Sequence, residues 1–201
     1  MKKHLLHSPL QPNQIYHIYS RGNNRETLFK QAENYPYFLR LWQRHISPIA
    51  ETYAYCLLPN HFHFCIHVRK LEALPLKYQW RDRSLSQPIS NCLNAYTKAI
   101  NKRFERSGSL FQERYKRGLI TGKQELSQLI AYIHTNPQHH GACHDFRSYA
   151  YSSYQALLSS RPTHLKRTDL WDVFGQKVGF ADFHEEPQHW LHLVKGKGEL
   201  A

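Results

Sequence analysis

Two short segments of this chain hold side chains whose types and spacing suit phosphate chemistry. The first is Leu58-Pro59-Asn60-His61-Phe62-His63-Phe64. In an extended chain, residues i and i+2 share a face, so His61 and His63 stand side by side. Phe62 and Phe64 then turn the other way, into a core. Paired imidazoles above an apolar anchor form a platform for a divalent cation, and a mixed histidine and oxygen site also takes Mg2+ or Mn2+. Two ligands are too few for a closed structural site. They leave positions for water and a phosphate oxygen, as a catalytic centre needs. His67 has the same parity and stays open as a further ligand or a bystander.

The second segment is Ala131-Tyr132-Ile133-His134-Thr135-Asn136-Pro137. On a helix, i and i+4 are neighbours, so Tyr132 and Asn136 lie one turn apart. The Asn carbonyl oxygen suits a hard cation. A phenol attacks phosphorus once its proton is removed or its phenolate is stabilised, and a nearby cation lowers the cost of that charge. One helix could therefore deliver a nucleophile and a third metal ligand. The same spacing also fits an ordinary helix with Asn near its C-terminus. Among 13 tyrosines the competitor is Tyr96, with Asn101 five residues on. Five residues is about 140° around a helix, so that pair is less well aligned, and Tyr96 reads as packing.

Several elements must position these groups. Ile15–Ser20 is β-branched and aromatic and predicts a strand. Residues 31–46 carry Tyr35, Phe38, Leu39, Trp42 and Ile46 at helical spacing. Thr52–Leu58 and His61–Val68 predict two strands joined by the Pro59-Asn60 break, as antiparallel neighbours. Residues 85–105 predict a second long helix, 110–121 a turn and a basic strand, and 124–136 a third helix that Pro137 should stop. The order strand, helix, strand, strand, helix, strand is that of an α+β, ferredoxin-like antiparallel sheet with helices on one face. An extra C-terminal helical or irregular tail follows. The divisions expected are an arm over 1–13, a main domain over 14–160 and a tail over 161–201.

The chain has 201 residues, with 41% hydrophobic and 13% aromatic residues, enough for one cored domain. Its 27 Lys and Arg against 15 Asp and Glu give a net charge of +12, which points to a polyanion such as nucleic acid. No apolar run is long enough to span a membrane or serve as a secretory signal, so a cytoplasmic location is expected. Four widely spaced cysteines lack a CxxC pair and suggest neither a zinc knuckle nor a disulfide framework. Cys56 and Cys65 read as small core residues.

Taken together, LPNHFHF resembles the histidine–hydrophobic–histidine motif of the HUH endonucleases. AYIHTNP followed by Gly141 resembles the tyrosine helix of the REP-associated tyrosine transposases, relatives of the IS200/IS605 transposases. SRGNNRETLF (20–29), RSGSLFQERYKRGLI (106–120) and YAYSSYQALL (149–158) are similar to three further stretches of that family. The resemblance runs from about residue 14 to 160. It implies Tyr132 as the nucleophile and His61, His63 and Asn136 as ligands of Mg2+ or Mn2+. The implied chemistry is cleavage and rejoining of single-stranded DNA near hairpins through a 5′-phosphotyrosine link. The alternative is a catalytically silent, domesticated hairpin-DNA-binding protein. A monomer is favoured over a homodimer.

The matched segments also hold most of the clustered basic residues. Arg21, Asn23, Asn24 and Arg25 suit phosphates or base edges. Lys102, Arg103 and Arg106 crowd the end of the second helix. Arg114 and Lys116 share one strand face and Arg117 takes the other. Phe111 and Tyr115 could stack on unpaired bases.

Overall fold

The computed structural model describes residues 9–79, 84–112 and 115–186. Strands β1 (Ile15–Arg21), β2 (Ala50–Leu58), β3 (His61–Val68) and β4 (Lys116–Ile120) form one sheet. Its order is β2-β3-β1-β4, antiparallel throughout. Helix α1 (Asn34–Ile46) connects β1 to β2, and α2 (Leu76–Gln79) and α3 (Gln87–Arg103) precede β4. This is the expected ferredoxin-like arrangement. Then come α4 (Lys123–His139), α5 (Tyr154–Leu158), α6 (Thr168–Phe174) and α7 (Lys177–Glu185).

Period-two alternation makes β3 a divider between two cores. Phe62, Phe64, Ile66 and Val68 join Tyr16 and Ile18 of β1 beneath α1 and α3. The helical spacing of Phe38, Trp42 and Ile46, and of Ile89, Leu93, Tyr96 and Ile100, supplies the facing stripes. Trp42 stacks on Phe64 with ring centroids 3.6 Å apart. On the other face, Cys65 meets Cys56, Leu58 and Ile120 under Leu129, Ile130 and Ile133 of α4. A register shift between Thr52 and Ala54 lets both Tyr53 and Ala54 enter this second core.

Two differences from the sequence reading concern the C-terminal part. Helices were expected on one face with a tail beyond, but α4 to α7 cover part of the second face. Leu157, Leu170, Phe174 and Phe180 share one core with α4, which therefore continues across residue 160. And Pro137 does not stop α4, which runs to His139. Proline removes one N–H from the last turn, and that turn is still closed by His140 N–H donating to Asn136 O at 2.9 Å. The Pro137 carbonyl accepts from Ala142 N–H at 2.8 Å. No helix among the described residues is long and apolar enough to cross a membrane.

Candidate active site

His61 and His63 open β3, directly after the Pro59-Asn60 turn, and face the second core side of the sheet. The β1–β3 register sets Tyr19 opposite His63 and His17 opposite Cys65, so all these odd-numbered residues share that face. Helix α4 crosses the same face and brings Tyr132 edge-on to His63, with ring centroids 5.6 Å apart, and to His17 at 6.2 Å. His140, eight residues after Tyr132, sits 4.8 Å from His61, ring to ring. Asn136 lies between them in the chain, one helical turn from each. It is fully buried, and its Nδ2 donates to the Tyr132 carbonyl at 2.8 Å.

Two central members of the site are buried: His63 and Tyr132 are 1% and 5% exposed. His61 Nδ1 meets Asn60 Oδ1 at 2.7 Å, and His63 Nδ1 meets His17 Nε2 at 2.9 Å. His61 Nε2 and Asn136 Oδ1 are buried atoms without a hydrogen bond. Burial, with His140 and Arg21 adding to it, pushes the His61 pKa down to about 3. That ring is neutral, the form that ligates a metal. Burial raises the Tyr132 phenol above the ordinary tyrosine range, with a hydrogen bond to Asn136 pulling the other way. Tyr19 is pushed up to about 12 by burial and then by Tyr132. Its hydroxyl is buried without a hydrogen bond.

Tyr96 is elsewhere. It is fully buried between α3 and the opposite face of the sheet, and its hydroxyl donates to the Leu28 carbonyl at 2.8 Å. It serves as a core strut.

The basic candidates divide into several groups. Arg21 lies opposite His61 in the register and adds to burial in lowering the pKa of both His61 and His140. Asn23, Asn24 and Arg25 form an exposed 3-10 turn. Its entry, Gly22, permits no side chain: a Cβ there would meet the Glu26 carbonyl oxygen at 1.9 Å. Gly22 N–H donates to Asn60 O at 2.8 Å and Asn23 N–H to Leu110 O at 2.9 Å. Three of the motif segments are thus tied together beside His61. Lys102 and Arg103 are exposed at the end of α3. Arg106, by contrast, is spent on structure: its guanidinium grips Glu26 at 2.7 Å and also bonds Asn101. Lys116 faces the site side, its Nζ 6.0 Å from the Tyr19 ring. Arg117 takes the other face, bonded to Ser86 and to Tyr115 Oη at 3.1 Å. Tyr115 and Arg117 line a cleft of about 480 Å³ with Ser86, Asn94, Thr97 and Gln112. Phe111 is core, not a free stacking platform. Arg114 lies outside the described residues.

His67 is at the far end of β3. There His67, Glu51 and Asp169 hold ligand-type atoms within 4.8 Å of one another, the one such cluster of His, Cys, Asp or Glu among the described residues. Glu51 is paired with Arg69 at 3.4 Å and Lys166 at 3.6 Å, and Asp169 accepts from Tyr53 Oη at 3.0 Å. These contacts describe a hydrogen-bonded ion-pair network. His67 is therefore no partner of His61 and His63.

The sequence reading missed His17, Tyr19 and His140. Residue parity puts His17 and Tyr19 on one face of β1, but which face meets His63 depends on a register that one strand does not encode. His140 was within reach of the helical count, four residues after Asn136, had the helix not been ended at Pro137.

No protein-family model matches the chain. It is 26% identical over 135 residues to a Haemophilus influenzae protein named "Putative REP-associated tyrosine transposase", across 66% of this chain and 68% of that one. The fold matches a REP-associated tyrosine transposase solved bound to a REP hairpin. That match has a TM-score of 0.58 and 17% identity, over 78% of this chain and 86% of the other. The chain resembles the REP-associated tyrosine transposases. The expected family likeness and the expected fold class both stand on these matches and on the sheet order.

Proposed function

We propose that the protein cleaves and rejoins single-stranded DNA near hairpin sequences, with Tyr132 as nucleophile and His61, His63 and Asn136 holding Mg2+ or Mn2+. The observation that carries this reading is the buried row of Tyr132 beside His63 and Asn136 behind it, with the His61 Nε2 and Asn136 Oδ1 lone pairs unused. Buried polar atoms are rarely left without a partner, and donors of this chemistry suit a divalent cation. The residues present therefore fit the metal that the likeness to the transposases implies. When bound, the cation supplies Lewis-acid charge to a phosphate oxygen and favours the phenolate.

The protein side chains do the rest. Tyr132 Oη attacks phosphorus, a P–O bond to the Tyr132 oxygen forms, and the P–O3′ bond breaks. The phenolic proton is exchanged with solvent and the released 3′ oxygen ends as a hydroxyl. The strand downstream of the break stays on the tyrosine through its 5′ phosphate, so the bond energy is kept. Attack by a 3′-hydroxyl reverses the step and joins strands. Asn136 positions the phenol from one turn away. Arg21 and Lys116 border the site and offer positive charge to the phosphates on either side. Asn23, Asn24 and Arg25, with Lys102 and Arg103, would extend that contact along the DNA. Tyr115 and Arg117, in the cleft on the other face of the sheet, could take an unpaired base.

The test is incubation of the full chain with labelled single-stranded hairpin DNA from the flanks of its own gene, with Mn2+, Mg2+ or chelator, on a denaturing gel. The expected result is a metal-dependent covalent band lost in Tyr132→Phe and kept in Tyr96→Phe. Tight hairpin binding with no covalent band under any metal would sink the nuclease reading and leave a binding protein.

A further inference from the structure

We infer that His17 is a positioning residue, one that fixes His63 in its metal-ligating tautomer and orientation. The inference rests on the ligand set proposed above. It begins with a parallel between the two histidines of β3. Each has its Nδ1 tied to a neighbour: His61 to Asn60 Oδ1 at 2.7 Å, His63 to His17 Nε2 at 2.9 Å. An amide oxygen only accepts, so His61 carries its proton on Nδ1 and keeps a lone pair on Nε2. His63 presents the same lone pair only if His17 accepts from it in turn. His17 then carries its own proton on Nδ1 and is a neutral acceptor.

The packing holds His17 to this task. It is 2% exposed and stacks on His63, with centroids 5.1 Å apart, and on Tyr19 at 4.6 Å. Tyr132 closes the cage edge-on. His17 Nε2 approaches the Nδ1 flank of His63, away from Nε2, so His17 stands behind the ligand. A group in that position sets the ring's plane and tautomer, as outer partners of metal-bound histidines do. Because His17 comes from β1, it also locks the ligand strand to its neighbour across the β1–β3 ladder.

Two measurements test this on the full chain. Long-range proton–nitrogen spectra of the metal-free protein should report His63 as the Nδ1–H tautomer. An Nε2–H tautomer there overturns the inference. Mn2+ titration followed by the electron paramagnetic resonance signal of the free ion gives the second readout. His17→Phe, which keeps a stacking ring but no acceptor, should weaken Mn2+ binding by about 10- to 100-fold. His17→Gln, which restores an acceptor oxygen, should recover most of that loss. Unchanged affinity in His17→Phe overturns the inference. So does an equal loss in both variants that tracks an equal fall in melting temperature, because that marks a purely structural role. Wild-type binding that survives His63→Ala instead removes the ligand set, and so points at the proposed function rather than at His17.

Discussion

Thirteen tyrosines and 27 basic residues share this chain, and burial sorts them more sharply than residue type does. Tyr96→Phe removes a buried hydroxyl that donates to Leu28 O, and leaves a carbonyl dry. The expected cost is about 1–3 kcal/mol in denaturant melts, with strand cleavage retained. A Tyr96→Phe protein of normal stability but no covalent adduct would reverse the assignment of the two tyrosines. Arg106 and its neighbours divide in the same way. Arg106→Ala should destabilise by roughly 1–3 kcal/mol, because it leaves Glu26 and Asn101 without their shared cation. Lys102→Ala with Arg103→Ala should leave the melt unchanged and weaken DNA binding instead. Equal melts for all three substitutions would show that the Arg106 clamp is idle.

Helix α4 ties the candidate nucleophile to the C-terminal helices through a chain of buried polar groups. His184 Nδ1–H donates to Phe180 O at 2.7 Å, which makes its Nε2 the acceptor for His134 Nδ1–H at 2.8 Å. His134 Nε2 in turn meets Ser153 Oγ at 2.8 Å, a hydroxyl that also lies 3.2 Å from Tyr55 O. Burial holds the His184 pKa down at about 4 and His134 well below the usual range. Both pKa values are lower folded than unfolded, so the unfolded chain binds more protons as pH falls. The stability that neutral His184 represents is present above pH 6.5 and is lost as pH drops toward 4, on the order of 3 kcal/mol. Urea melts at pH 7 and pH 5 should show this slope, and His184→Leu should flatten it. An unchanged slope would remove His184 as its source. The sequence did not reveal this network. Helices of five, seven and nine residues carry too few turns for a readable period, and their packing on α4 is long-range. The sheet was legible because each strand repeats its own signal. His61 and His63 were legible because both sit on one such strand. The partners on β1 needed a register, and the end of α4 needed the tertiary contacts that outweigh a proline.

At the scale of the whole molecule the net charge of +12 favours a polyanion such as the DNA proposed above. Binding to single strands should weaken with salt, and the slope of log affinity against log salt should fall by about 0.7 for each phosphate contact removed. The Lys102 and Arg103 double substitution measures that slope directly, and no change in it would take both residues off the DNA path. Charge also has a local consequence at the buried cluster. His61, His63, Asn136, Asn60, His17 and Tyr132 include no acid, and the charged neighbours Arg21 and Lys116 are both positive. A divalent ion held there would meet no carboxylate among these residues, and with Tyr132 protonated its charge would be balanced only by the phosphate of the proposed DNA substrate. Ion and DNA are then linked ligands, each raising the other's affinity by one common factor. Mn2+ affinity measured with and without a single strand, and strand affinity measured with and without Mn2+, should differ by the same ratio, well above tenfold. A ratio near one would mean that the ion's charge is balanced inside the protein.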